Sequence, residues 1–199
     1  MKKLKGNDIY IQNNFIDDIL ENPVKFSYEQ IMFISNFTLY DYDLYDYIVL
    51  NYPFVKGAGV FKQELIEYGV YDDYLNSVME EGDIFLKASF AFYIDASLRD
   101  DVIGDEFEFI DTIKNDDEYP FEYKVGLLTA LAIYKNYGEL INIIKNNIIN
   151  IVKTDDRIKK EFSNEERDYL LNQYLSAIDE NTIDGIKRLS NKMWGIYVW

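Results

Sequence analysis

Two stretches of this chain are apolar almost all the way round a helix, and they constrain everything packed against them. Residues 84–98 carry Lys87 and Asp95 as their only charges, and residues 121–137 surround an uncharged run at 125–134. A helix of this kind has no face to offer water, so other helices must enclose it. Both stretches fall short of the roughly 20 apolar residues that a membrane span needs. The remaining segments read as the helices that do the enclosing.

Their boundaries are marked by caps and breakers. Asn22-Pro23 ends an amphipathic piece containing Phe15, Ile16, Ile19 and Leu20. Ser27-Tyr28-Glu29-Gln30 reads as a capping box opening a helix over 28–37. A helix over 41–50 stops before Pro53. The next runs over 61–68 and closes at Gly69, and another runs over 71–81 and closes at Gly82. Asp83 caps the apolar segment that follows. The segment 100–114 comes after it. Its alternating Glu106-Phe107-Glu108-Phe109 admits a short strand near 106–110. Pro120 suits the first turn of a helix over 121–137, with Gly138 closing it. Residues 139–153 place Leu140, Ile141, Ile144, Ile148, Ile151 and Val152 toward one face. Ser163-Asn164-Glu165-Glu166 is a second capping box, opening a helix to about residue 178. A last helix is expected over 182–194, with minor β content admissible at 195–199.

The expected fold class is therefore all-α, a compact array of roughly ten antiparallel helices joined by short loops. Helix pairs recur at HEAT-like spacing, which is compatible with an α-solenoid, although no sequence signature repeats. With 199 residues and 48% hydrophobic content, the chain can bury a core as a single domain over 1–199. The glycine-rich stretch at 55–60 is the one internal joint that the sequence suggests. The basic start, Met1-Lys2-Lys3-Leu4-Lys5, lacks the apolar run of a secretory signal, so the expected location is the cytoplasm, with no membrane association.

The composition excludes several chemistries. The chain has no Cys and no His. Disulfides, thiolate metal sites, Ser-His-Asp and Cys-His triads and His-based zinc sites are all impossible. Carboxylates are what remain in quantity. Glu64-x-x-Glu67 and Glu108-x-x-Asp111 each put two acids on one helix face, where they could hold Mg²⁺. All-α nucleoside-triphosphate pyrophosphohydrolases use a pair of such motifs, but the gap of about 40 residues here is longer than that pattern expects. Asp100-Asp101-x-x-x-Asp105 lacks the matching second cluster of all-α prenyl-transfer enzymes. Neither family is assigned, and no cofactor or metal is expected. Walker A, dinucleotide-binding and EF-hand patterns are absent.

The charge distribution is the main functional clue. The net charge is −16, and between Glu64 and Glu122 there are 18 acids against Lys87, Arg99 and Lys114. Almost the whole net charge lies in that window. Like charges held together repel and work against folding, whereas an even spread would serve solubility as well. A concentrated acidic face attracts a basic partner and repels nucleic acid itself. The ordinary alternative is a solvated surface with acids at helix N-termini.

The candidate contact residues are Asp100, Asp101, Asp105, Glu106, Glu108, Asp116, Asp117 and Glu118. To these we add Tyr42, Asp43 and Asp46 from the interleaved run Tyr40-Asp41-Tyr42-Asp43-Leu44-Tyr45-Asp46-Tyr47. Tyr is a favoured contact residue, and with Asp it can meet Arg by both stacking and charge. Leu44, Tyr47 and Ile48 of this run fit a core instead. Trp194 and Trp199 read as packing anchors near the C-terminus.

The expectation is a non-enzymatic binding protein that neutralises a basic, nucleic-acid-processing partner such as a nuclease. An immunity protein, an antitoxin or a phage-encoded inhibitor would work this way. A helical scaffold module and a small Mg²⁺-dependent hydrolase are the alternatives.

Overall fold

In the computed structural model the described residues are 42–51, 58–119 and 121–180. Expectations at 15–37, at the 182–194 helix, at the 195–199 tail and at Trp194 and Trp199 lie outside them. Ten α-helices and no strands occur among the described residues. In chain order they are α1 (Tyr42–Asn51), α2 (Ala58–Glu67), α3 (Tyr71–Glu81), α4 (Ile84–Ser89) and α5 (Arg99–Ile103). They continue with α6 (Glu106–Asn115), α7 (Phe121–Lys135), α8 (Gly138–Thr154), α9 (Asp156–Glu161) and α10 (Asn164–Glu180).

The first apolar segment is central, as its composition demands, but it is not one helix. After α4 the chain widens into a π-helical turn, Phe90–Ile94, closed by the Asp95 N–H on the Phe90 carbonyl at 2.9 Å. Asp95 then leaves helical geometry, and its carboxylate caps the 3₁₀ turn Ala96–Leu98. Phe85, Leu86, Ala88, Phe90, Phe92, Tyr93 and Ile94 are all buried. Around them pack α1, α2, α3, α5 and α7. A ring cluster fills the space between α1, α2, α3 and the π turn. Tyr45 meets Tyr74 at 5.2 Å and Phe61 at 5.8 Å, and Tyr74 meets Phe90 at 5.8 Å between centroids.

The second apolar segment forms α7, enclosed by α4, α6, α8 and α10. Leu127, Leu128, Leu131 and Ala132 are buried in it. The amphipathic face of α8 is seated as expected, with Leu140, Ile144, Ile148, Ile151 and Val152 buried and Ile141 half-buried. The expected capping box at α10 forms reciprocally. The Glu166 N–H donates to Ser163 Oγ at 3.3 Å, and the Ser163 N–H donates to Glu166 Oε2 at 2.8 Å.

Three boundaries correct the sequence reading. The strand admitted near 106–110 is the first half of α6. Asp105 accepts from the N–H groups of Phe107 and Glu108 at 3.0 and 2.9 Å, satisfying donors that a helix start leaves unpaired. Gly104, at φ +56°, supplies the left-handed turn that ends α5 just before it. The helical spacing of Phe109, Ile110 and Ile113 then governs burial, and Phe107 stays 53% exposed. Gly138 does not close α7 but opens α8. The turn between them is made by Asn136 at φ +39°, a conformation that Asn tolerates. The helix α2 begins at Ala58, inside the stretch read as a joint, while residues 52–57 lie outside the described set.

Asp95 is the one carboxylate in the buried core of the described residues, at 8% exposure. Lys62 of α2 donates to it at 2.6 Å, Ser97 Oγ at 2.8 Å and the Ser97 N–H at 3.2 Å, and the Tyr71 hydroxyl of α3 also donates. Burial alone would raise its pKa, but these four hydrogen bonds outweigh burial and hold it well below the usual carboxylate range. A lowered folded-state pKa stabilises the protein above the unfolded value of about 4, and that contribution fades as pH falls below it.

Replacing Asp95 with Asn should cost about 2–3 kcal/mol at pH 7, because it leaves Lys62 facing a neutral partner. Urea unfolding at pH 7 and pH 3 checks this. The gap between wild type and variant should shrink at the lower pH.

Candidate acidic–aromatic surface

The candidate residues divide into groups that their neighbours treat differently. Asp100 and Asp101 lie exposed in the first turn of α5, and Glu106 opens α6. Lys135, at the end of α7, reaches both Asp100 and Glu106 at 3.1 Å. Its hydrogen bonds hold both carboxyls below their ordinary values. Asp105 is committed to capping α6. Glu108 is exposed on α6, and Asp111 on the same helix pairs with Lys114 at 2.5 Å. This half of the acidic window is partly neutralised or structurally occupied.

The other half assembles with the Tyr-Asp run of α1. Leu44, Tyr47 and Ile48 are core, as the packing reading of that run expected, and Tyr45, which that reading left on the polar face, is buried with them. Asp43 is exposed and Asp46 half-buried on the same helix. Asp46 accepts from the Tyr74 hydroxyl of α3 at 2.7 Å. Its pKa is nevertheless raised to about 6, first by burial and then by the charges of Asp43 and Asp83. Asp83, at the start of α4, accepts from Tyr119 Oη at 2.6 Å. Tyr119 stacks on Phe85 at 4.1 Å and sits in a loop whose turn Asp116 makes. Asp116 accepts from the N–H groups of Glu118 and Tyr119 at 2.9 and 2.8 Å. Asp117 and Glu118 are exposed in that loop.

Tyr42 packs on Tyr74 at 5.4 Å, and burial together with the charge of Asp73 raises its pKa. The Tyr119 hydroxyl is raised in the same way, by burial and then by Asp83 and Asp116. Asp43 and Asp83 thus act on Asp46, Asp73 acts on Tyr42, and Asp83 and Asp116 act on Tyr119, so three separate parts of the chain bring acids and tyrosines together. Asp73, Asp83, Tyr74 and Tyr119 were not singled out as contact residues from sequence. Asp83 was legible only as a cap, and nothing local marks which helix Tyr74 or Tyr119 will touch.

The two carboxylate pairs considered for Mg²⁺ do not come together. Among the described residues no group of three or more Asp or Glu is placed to hold a metal ion. Glu67 is instead engaged by Gln63 at 3.2 Å. Also among the described residues, no helix is long and apolar enough to cross a membrane. Comparison with protein-family models, with curated proteins and with solved structures finds no match, so the reading rests on the chain itself.

Asp46 gives this surface a pH signature. Because its folded-state pKa is raised, the native chain takes up a proton near pH 6, whereas the unfolded chain does so only near pH 4. Its ionisation therefore weakens the fold at neutral pH, and that penalty disappears as pH falls through 6. Asp46→Asn should stabilise the protein at pH 7 by about 1 kcal/mol, a value discounted for solvent screening at a half-exposed site. It should also flatten the stability gain that wild type shows between pH 7 and about pH 4.5. Chemical denaturation across that range measures both.

Proposed function

We propose that the protein is a non-enzymatic acidic binding protein that docks on a basic, nucleic-acid-processing partner and occludes its basic surface. An immunity protein or antitoxin against a nuclease toxin would act in this way, as would a phage-encoded inhibitor of a defence nuclease. The observation that carries this reading is Asp46, a carboxylate pushed up to about 6 by burial and by neighbouring acids. A fold that keeps like charges close together sustains their repulsion, and a cationic partner would relieve it.

The aromatic rings add a second kind of contact. Tyr42 and Tyr119 offer planar area beside the acids, which suits Arg in a groove built for phosphates. Acids at the rim of such a contact would mainly speed association, and those desolvated at its centre would slow release. Asp46 is the central candidate by its burial, and Asp43, Asp73 and Glu118 are rim candidates by their exposure.

The geometry also changes which substitutions test the idea. Reversing Asp100, Asp101, Asp105 and Glu106 together would remove the α6 cap and place new cations beside Lys135. Reversing exposed acids around Asp46 leaves the caps intact. Capture from the source lysate at low and moderate salt should yield a basic nucleic-acid-processing protein, bound less tightly as salt rises. Asp43→Lys, Asp73→Lys and Glu118→Lys combined should slow association with it by about tenfold or more, with little change in melting temperature. A salt-insensitive partner, or undiminished binding by the triple variant, would favour a helical scaffold instead.

A further inference from the structure

A cleft of ≈ 500 Å³ opens between the end of α6, the loop after it, α7 and the C-terminal half of α8. Lys124 of α7 lines it and is only 4% exposed. Among the described residues its ammonium makes neither a hydrogen bond nor an ion pair. The other buried charged residue, Asp95, has four hydrogen bonds. The Lys124 stem is buried while its ammonium opens to the cleft without a protein partner, and an anionic group entering the cleft would supply one.

The rest of the lining says what kind of anion. Asn115, Asn147, Asn150 and Thr154 supply neutral donors and acceptors. Asp155 and Asp156 border the cleft at the end of α8, Asp156 paired with Lys159 at 2.9 Å, and Asp117 and Lys114 border it on the α6 side. These acids, on a chain of net charge −16, oppose a polyanion such as a nucleotide or free phosphate. A ligand carrying one negative and one positive group meets both kinds of lining. The volume is that of a small-molecule site.

We propose that this cleft binds a small zwitterion of the amino-acid class, with its carboxylate on Lys124 and its amine toward Asp155 and Asp156. The site is separate from the acidic surface and does not depend on the occlusion reading. Neutral amides and a hydroxyl around Lys124 suit a polar side chain, so glutamine and glycine serve as probes.

Calorimetry and ¹⁵N NMR on the full chain provide the test. Glutamine should bind saturably and shift the amides of Lys114, Asp117, Lys124 and Asn150. Acetate and methylamine, each holding half the charge pattern, should bind at least about tenfold more weakly. Lys124→Met should lose at least about tenfold in affinity while its melting temperature stays level, since it keeps the buried stem and removes only the charge at the cleft. Asn150→Asp, on an exposed position, should weaken glutamine binding by adding negative charge near the carboxylate. Absence of binding by both zwitterions overturns the proposal. Phosphate or acetate binding as tightly as glutamine, or glutamine affinity unchanged in both variants, would overturn it as well.

Discussion

A carboxylate buried at the end of the most apolar segment governs how the surrounding helices pack. Residues 84–94 could run on as one apolar rod, but Asp95 makes that impossible. Its charge cannot stay in the core unless donors arrive from elsewhere. Lys62 and Tyr71 bring α2 and α3 against the π turn to supply them, and Ser97 folds the chain back over the same oxygen atoms. Arg99 completes the turn. It donates to the Phe92 carbonyl at 2.9 Å and the Ala91 carbonyl at 3.3 Å, and lies over the Tyr134 ring at 5.1 Å. Groups that the end of a helix leaves unsatisfied thus receive a cation, as the helix dipole favours. Asp95 thus ties α2 and α3 to the central segment, and Arg99 ties α5 and α7 to it.

The same principle explains why the acids of this chain are not equivalent. Asp95 and Asp46 are both withdrawn from water, yet they shift in opposite directions. Asp95 has an ammonium and three further hydrogen bonds. Asp46 has one phenol and two acidic neighbours. Burial disfavours the charged form in both cases, and local partners decide the outcome. An acid held like Asp95 is part of the scaffold. An acid held like Asp46 is a strained charge at the surface, which is where a cationic partner has most to offer.

Charge counted along the chain misjudged where that strain collects. The window 64–122 holds most of the net charge, but its strongest compensating cation, Lys135, lies outside it and neutralises Asp100 and Glu106. Asp43 and Asp46 also lie outside the window, yet Asp46 feels the charge of Asp83 within it. Lys124 shows the same limit for cations. Between Glu122 and Val125 it reads as an ordinary polar position, and only the enclosure of α7 by its neighbours buries its stem.

The amino-acid sequence by itself determined the all-α class, the two enclosed segments, the apolar face of α8, the end of α3 at Gly82 and the Ser163 capping box. These depend on interactions within about four residues, so they are written locally. The alternation at 106–109 misled because two periods fit so short a run, and the Gly104-Asp105 stop and cap outweigh it. Only the tertiary structure decided the π turn at Phe90, the Asn136 turn, the partners of Asp95 and the assembly of acids around Asp46. Lys62 and Asp95 are 33 positions apart, and Lys135 and Asp100 are 35 apart. Which long-range pair meets is set by how the apolar faces pack, because hydrophobic burial brings whole helices together and carries their polar groups into contact with it.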